Sequence, residues 1–205
     1  MRHLSFLSAL LAATLLSVPA CGPADGGDAP HEVTIYDQTD EQRYAVVNRE
    51  ITTIDSLSSI TGEVARFRGG GNIQINSANP DTPEGYRDAL SIEGHTRVRP
   101  DYAIRNGRVI PMDFHSTVMF SMYHHLERAN EFFTSIGLEE GSIGQRPVHY
   151  DVKLNLFGFV NLLTDNAAYA PTIDAFLVPP RFLTRGVPLA ANRGIVVHEY
   201  AHAVF

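Results

Sequence analysis

The sequence of 205 residues holds a single cysteine, Cys21, so no disulfide can form within the chain. It contains no run of basic residues, and 16 basic residues face 23 acidic ones, for a net charge of −7 with histidine neutral. Nucleic acid as a partner therefore has no support. The apolar run from Leu4 to Leu16 is too short to span a bilayer, which excludes a transmembrane helix at the N-terminus.

The N-terminus has the pattern of an export signal. A short polar start precedes the apolar run, and residues 18–21 (Val-Pro-Ala-Cys) resemble the lipobox of bacterial lipoproteins. The resemblance implies that residues 1–20 are a signal peptide, that Cys21 is lipidated, and that the protein is exported and anchored in a membrane of the bacterial cell envelope. An ordinary secretory signal with a stray cysteine near the cleavage site is the alternative.

The rest of the chain divides by composition. Residues 21–32 are rich in glycine, proline and aspartate, which is typical of a flexible tether. The segment that follows, residues 33–205, is long enough to bury one hydrophobic core. Sequence patterns typical of strands dominate residues 33–113. The patterns in residues 114–205 predict a long helix, edge strands and a second helix. We therefore predict an α+β fold.

Short alternating or β-branched runs predict the strands. Asn106-Gly107 is suited to a type I′ turn between two of them. Gly69–Gly71 lacks the following Lys and Ser or Thr of a phosphate-binding loop, so we expect a hairpin connection or a bulge there. Asn79–Gly85 has the turn residues of a loop. The predicted strands are 33–36, 44–54, 65–68, 72–76, 102–105, 108–110, 148–152, 155–163 and 172–178.

The hydrophobic period changes after Asp113. Apolar residues then recur at steps of three and four, which predicts one long amphipathic helix of about six turns. Asp113 is suited to cap its start and Gly137 to close its end. The apolar positions are Val118, Met119, Met122, Tyr123, Leu126, Ala129, Phe133 and Ile136.

The most informative motif is His-Glu-x-x-His at residues 198–202. On a helix, His198 and His202 lie on one face and can both present an imidazole nitrogen to one zinc ion (Zn²⁺). Glu199 lies about 100° around the helix, where its carboxylate can accept a proton from a water that the metal activates. The spacing therefore predicts two metal ligands and a general base, on a helix that begins near residues 190–193.

Apolar residues flank the motif, Gly194–Val197 before it and Ala203–Phe205 after it, so we expect the helix to be mostly buried. Two histidines and a glutamate are costly in a buried helix unless they are paired or bind a metal. This context favours the zinc site. The alternative is a core helix with two incidental, hydrogen-bonded histidines.

The order of features resembles that of thermolysin-like and fungalysin-like metallopeptidases, the gluzincins. A β-rich region is followed by an aromatic helix (Phe120 to Phe133), a segment similar to the family's Asn-Ala-aromatic strand (Asp165–Tyr169) and the zinc motif. The resemblance covers about residues 60–205. It implies the β-rich N-terminal lobe of a zincin, with a truncated zinc-binding helix.

The resemblance also implies a substrate site. The Asn166 side chain and the Ala167 backbone would hydrogen-bond an extended peptide and add it as a strand to a sheet edge. An edge strand that merely turns at an asparagine is the alternative. The acidic calcium-binding residue that the family often places four positions before the first histidine is Gly194 here, so no calcium site is implied.

The third zinc ligand of the family is a glutamate on a later helix, and no such position exists in the 205 residues. We therefore expect an incomplete catalytic domain that is inactive by itself. Metzincins instead need a glycine three residues after the second histidine, where this chain has Phe205, which excludes that class. His115, His124 and His125 near the long helix are weaker ligand candidates, because a lone helical histidine is more often hydrogen-bonded.

The sequence thus favours a zinc metalloendopeptidase that acts on peptide or protein substrates. Two other functions stay open. One is a non-catalytic cell-envelope lipoprotein whose β-region binds a partner. The other is a different zinc hydrolase that uses the same motif.

Overall fold

The computed structural model describes residues 30–41, 43–75, 82, 85, 88–139, 141–156, 159–160, 166–179 and 187–205, and these form an α+β fold. The helices are α1 (Phe114–Ser135) and α2 (Arg193–Val204), with a 3-10 turn at Leu189–Ala191. The strands are β1 (His31–Gln38), β2 (Tyr44–Ile51), β3 (Ile54–Ser56), β4 (Thr61–Gly62), β5 (Ala65–Gly69), β6 (Asn72–Ile75), β7 (Leu90–Glu93), β8 (Thr96–Arg97), β9 (Tyr102–Arg105), β10 (Arg108–Pro111), β11 (Arg146–Tyr150), β12 (Lys153–Leu156), β13 (Phe159–Val160), β14 (Ala168–Ala170) and β15 (Ala175–Val178).

The strands assemble into three mixed sheets. The first has the order β2-β1-β10-β9 and the third the order β13-β12-β6-β7. The second sheet runs β14-β15-β11-β5-β4-β3, with β8 also paired to β5. Its β5, β11 and β15 are parallel, whereas β14 lies antiparallel to β15 at the edge. Neither α1 nor α2, the helices of the described residues, is long and apolar enough to cross a membrane.

Several predicted turns and strands are confirmed. The hairpin of β9 and β10 turns at Asn106 and Gly107, both with positive φ (53° and 77°), as a type I′ turn requires. A hairpin at Gly69–Gly71 was the wrong interpretation, because β5 and β6 belong to different sheets. Gly70 and Gly71 have φ of 68° and 114°, and they carry the chain from the second sheet to the third.

Other strand boundaries differ from the prediction. The run 44–54 is broken between β2 and β3, where Thr52 and Thr53 bind a carboxylate of α1. The strand predicted from Thr172 begins only at Ala175, because residues 171–174 form a turn. Part of the run 155–163 and most of the loop Asn79–Gly85 lie outside the described residues.

Helix α1 begins and ends as predicted. Asp113 caps it, and its Oδ1 accepts a hydrogen bond from Ser116 N at 2.7 Å. Gly137 follows the last turn with φ 112°, and Leu138 N donates to the Phe133 carbonyl at 3.0 Å. These bonds satisfy a free N–H group at the start of the helix and a free carbonyl at its end.

The prediction of an amphipathic α1 is wrong in its middle, where residues 118–127 are buried on every face. Helix α1 contacts β1, β2 and β10 of the first sheet and also α2. The buried polar Ser121 accepts from Tyr36 N at 2.8 Å, and Tyr123 OH donates to the Thr53 carbonyl at 2.7 Å. Polar residues on α1 therefore fasten the sheets to the helix instead of facing solvent.

Glu127 is the most heavily bonded of these groups. Its Oε1 accepts hydrogen bonds from both N–H groups and both hydroxyls of Thr52 and Thr53, at 2.7–2.9 Å. Arg128 pairs with Oε2 at 3.1 Å. Burial would raise the pKa of Glu127, but the hydrogen bonds from Thr52, Thr53 and Arg128 outweigh it and hold the pKa below its usual value. The ionised carboxylate therefore fixes the β2–β3 connection to α1.

Glu127→Ala should lower the free energy of unfolding by about 3 kcal/mol, because it leaves several buried donors without an acceptor. Urea denaturation followed by circular dichroism measures the change. Glu131→Ala, one turn further along α1, is the matched control and should change stability by less than about 0.5 kcal/mol, since Glu131 is half exposed and pairs only with Arg128. Equal losses in the two variants would contradict this role of Glu127.

Candidate metal centre

Local capping sets the start of the motif helix. After the 3-10 turn at Leu189–Ala191, Asn192 is the N-cap of α2, and its Oδ1 accepts from Ile195 N at 3.2 Å. This bond satisfies one of the free N–H groups at the helix start. The prediction that the helix begins near residues 190–193 is confirmed.

His125 of α1 holds the same turn from the inside of the protein. Its Nε2 lies 3.2 Å from the carbonyl oxygen of Ala191, so Nε2 carries a proton and donates it. The ring is fully buried. Burial, with the neighbouring His124 acting in the same direction, lowers the pKa of His125 to about 4. A neutral histidine thus ties the middle of α1 to the start of α2.

The rotation of α2 about its axis is set by Tyr200. The ring stacks on Phe133 of α1 at 5.8 Å and on Phe176 of β15 at 6.4 Å between centroids. Its hydroxyl donates to Asn130 Oδ1 at 2.8 Å. Since residues two apart on a helix differ by about 200°, burying Tyr200 turns both histidines of the motif to the opposite face.

His198 and His202 lie together on that opposite face and are exposed. Their Nε2 atoms are 3.2 Å apart, and the two rings are nearly perpendicular, at 88°. Two nitrogen ligands of one tetrahedral zinc lie about 3.3 Å apart, given bonds of about 2.0–2.1 Å. The 3.2 Å separation is that of a hydrogen bond between the two rings, and it also fits two nitrogen ligands of one zinc ion.

The expectation of a mostly buried motif helix was wrong. Val196 and Tyr200 are its buried residues, and the apolar side chains around them are only partly covered. The cost of burying polar groups therefore gives no argument for a metal at this site. The argument rests instead on the convergence of the two imidazoles.

Glu199 is partly buried and points to the edge of the second sheet. Its Oε2 accepts a hydrogen bond from Tyr169 N of β14 at 2.8 Å. Strand β14 pairs with β15 on its other side, where Tyr169 lies opposite Phe176. The N–H of an edge strand thus orients the carboxylate beside the histidine pair.

Asn166 and Ala167 directly precede this edge strand. Asn166 N donates to the Pro179 carbonyl at 3.3 Å, which continues the pairing with the segment after β15. Asn166 Oδ1 accepts from Ala167 N at 2.9 Å. That bond occupies the Asn166 Oδ1 and the Ala167 N–H, and Ala167 itself is buried. Their role in substrate binding stays a prediction.

A polar clamp holds the β14–β15 hairpin in place. Asp174 lies in the turn with a positive φ of 45° and accepts from Arg146 Nε at 2.6 Å and from Tyr169 OH at 2.5 Å. Burial would raise the pKa of Asp174, but the bonds from Tyr169 and Arg146 lower it overall. Tyr169 is therefore fixed at both ends, by Asp174 at its hydroxyl and by Glu199 at its N–H.

The other histidines near α1 have separate roles. His115 Nδ1 lies 2.9 Å from the Tyr150 hydroxyl. His124 and His125 are buried side chains in the middle of α1. In the part of the chain that the structure describes, no group of three His, Cys, Asp or Glu side chains is placed to hold one metal ion. Cys21 lies outside the described residues, so its lipidation stays a prediction.

Sequence reasoning missed the residues that support the motif. Tyr200 and Asp174 are found only through their tertiary partners, although Tyr200 stands within the motif itself. Tyr169 was noted for its resemblance to a substrate strand, and its backbone bond to Glu199 has no sequence signal.

The chain matches no protein-family model, no curated protein and no solved structure. The resemblance to gluzincins therefore rests on sequence motifs alone.

The buried His125 should make the protein sensitive to mild acid. Its pKa is about 4 in the folded state and about 6.5 in an unfolded chain, so the unfolded state takes up the proton first. Stability is then fully present above about pH 6.5 and is lost as the pH falls towards 4. The loss should reach up to about 3 kcal/mol for this residue.

Free energies of unfolding in urea at pH 7 and pH 5 measure this effect. His125→Gln keeps a donor near Ala191 but cannot titrate, so the fall between the two pH values should be smaller. An identical fall in wild type and His125→Gln would show that His125 does not control this acid sensitivity.

Proposed function

We propose that the chain supplies two zinc ligands, His198 and His202, and the general base, Glu199, of a zinc-dependent peptidase of the gluzincin type. The observation that carries the proposal is the 3.2 Å separation of the two Nε2 atoms, with Glu199 oriented beside them. The α+β fold is consistent with the proposal.

The donor set fits zinc. Two imidazoles on one helical face give nitrogen ligands, and a hydrolytic site needs one further protein ligand and one open position. Since the described residues hold no group of three suitable side chains, we expect a carboxylate from outside them as the third ligand. When bound, zinc would polarise the scissile carbonyl and lower the pKa of water to about 7.

The proposed role of Glu199 follows from its two oxygens. Oε2 is engaged by Tyr169 N, and no donor among the described residues reaches Oε1. Oε1 is therefore the atom that would accept the proton of the attacking water and pass it to the leaving amine. The bond to Tyr169 prevents the carboxylate from rotating away.

The substrate would lie beside the edge of β14, where Tyr169 N is bonded to Glu199, and its main-chain bonds would go to the segment of Asn166 and Ala167. An extended peptide there would pass both Glu199 and the segment of Asn166 and Ala167, because Tyr169 N at the same edge already contacts Glu199. The edge strand and the catalytic carboxylate would thus be positioned by one hydrogen bond. This arrangement favours an endopeptidase that binds its substrate through the main chain.

Glu199→Gln should leave zinc bound but lower peptide hydrolysis by about 10²–10⁴-fold in the natural, zinc-loaded protein, because the amide cannot act as a base. Isothermal titration with zinc and cleavage of a fluorogenic peptide measure the two properties. His198→Ala and His202→Ala should each weaken zinc binding by at least about tenfold, and His95→Ala should not. Full hydrolysis by zinc-loaded Glu199→Gln would exclude the proposed role of Glu199.

Asn166→Ala should raise the KM for a peptide by about tenfold, with a smaller effect on kcat, because it removes a side-chain bond to the substrate main chain. Steady-state kinetics on the natural protein separate the two constants. Asn48→Ala on β2 is the control, since the Asn48 side chain bonds Thr34 in the first sheet, away from Asn166. An unchanged KM would leave Asn166 with a purely structural role at the edge strand.

A further inference from the structure

Four arginines gather on one side of the second sheet, although the chain as a whole is acidic. Arg66 and Arg68 are on the outer face of β5, Arg97 is on β8, and Arg99 follows it. We call these four residues the arginine patch. Phe67 points to the opposite face and is buried in the main core. The alternation of β5 therefore keeps the arginines out of the core and in contact with solvent.

The strand register places like charges side by side. Arg68 of β5 lies directly opposite Arg97 of β8, and on its other side it is paired with His149 of β11. Like charges directly opposite each other in a sheet are destabilising. The fold thus keeps the positive charges of Arg68 and Arg97 side by side. An anion bound between them would attract both.

The patch lacks carboxylate partners among the described residues. No described carboxylate forms an ion pair with Arg66, Arg68, Arg97 or Arg99. The arginines that do form ion pairs with carboxylates in the described residues are Arg43, Arg49, Arg108, Arg128 and Arg146. Arg68 donates to His95 Nε2 at 2.7 Å and Arg97 to Ser58 Oγ at 3.4 Å. The guanidinium N–H groups not used in these bonds can meet an external anion.

A cavity of about 420 Å³ opens between these side chains. A second, smaller cavity beside it is lined by Ser58, Arg97 and Arg99. The first cavity is lined by Arg66, Arg68, Arg97, His95 and the hydroxyl residues Ser59, Thr61 and Thr96. Guanidinium forks from two different strands and several hydroxyls thus surround one space of the size of a small ligand.

Two histidines, His95 and His149, adjoin the patch. Arg68 Nη1 donates to His95 Nε2 at 2.7 Å, so that nitrogen carries no proton. His149 stands edge-on to the His95 ring at 5.3 Å. Burial lowers the pKa of His149 to about 4, and His95, Arg68 and Arg66 act in the same direction.

We propose that the arginine patch binds the phosphoryl group of a phosphate ester. A carboxylate offers two coplanar oxygens, which one guanidinium fork satisfies. Three forks around one cavity instead match a tetrahedral anion, whose oxygens point in different directions. The phosphoryl group comes either from a soluble phosphate ester or from the headgroup of an anionic phospholipid. The site is separate from the His198 and His202 pair and does not depend on the proposed peptidase.

Isothermal titration of the full chain with inorganic phosphate, at constant ionic strength, tests the site. We expect saturable binding that weakens by at least tenfold in the double variant Arg68→Gln/Arg97→Gln. Arg105→Gln is the matched control, because Arg105 is an exposed arginine of β9 away from the patch. No saturable binding, or equal weakening in the control, would overturn the proposal.

A sedimentation assay distinguishes the two sources. Vesicles of phosphatidylcholine with phosphatidylglycerol, compared with phosphatidylcholine alone, should retain the chain through Arg68 and Arg97 if the ligand is a lipid headgroup. Phosphate binding without vesicle retention identifies a soluble ester. Binding of a DNA duplex but not of phosphate would replace the proposed pocket by a surface for polyanions.

The thermal unfolding midpoint of Arg68→Gln/Arg97→Gln shows whether weaker phosphate binding is caused by a loss of stability. Removing a repulsive pair should leave the midpoint unchanged or raise it. A clearly lowered midpoint would show that the two arginines stabilise the fold, and it would contradict their assignment to a ligand.

Discussion

The stacking of Tyr200 between Phe133 and Phe176 is the contact on which the candidate metal centre depends. It joins α2 to α1 and to the second sheet at once, and the bond from its hydroxyl to Asn130 prevents rotation about the helix axis. Because the helical period is fixed, this one buried residue determines which residues of α2 face outwards. His198 and His202 face solvent together for that reason.

Two further contacts complete the arrangement from opposite ends. His125, inside α1, bonds the Ala191 carbonyl and fixes where α2 starts. At the sheet edge, Tyr169 N fixes the Glu199 carboxylate, and Asp174 fixes Tyr169. The three elements α1, α2 and β14 thus hold the motif through hydrogen bonds with buried or partly buried partners, which lose little to solvent competition. Precise placement of this kind is what a metal site and a general base require.

Features of short range could be predicted from the sequence, and features of long range could not. The cap at Asp113, the Asn106-Gly107 turn and the start of α2 depend on neighbouring residues, and all three are confirmed. The role of Gly70 and Gly71 depends on which sheet β6 joins, and the burial of His125 and Glu127 depends on the sheets that pack around α1. Periodicity alone cannot give such information. The motif itself could be recognised because its residues lie within about one helical turn, whereas the residues that support it are about 30–70 positions away in the sequence.

The central claim is that His198 and His202 bind the same zinc ion through their imidazole nitrogens. X-ray absorption spectroscopy at the zinc edge, on the full chain loaded with one equivalent of zinc, tests it most directly. We predict two imidazole nitrogens at about 2.0–2.1 Å, and loss of one of them in His202→Ala. A zinc environment without imidazole, or one that is the same in wild type and His202→Ala, would contradict the account.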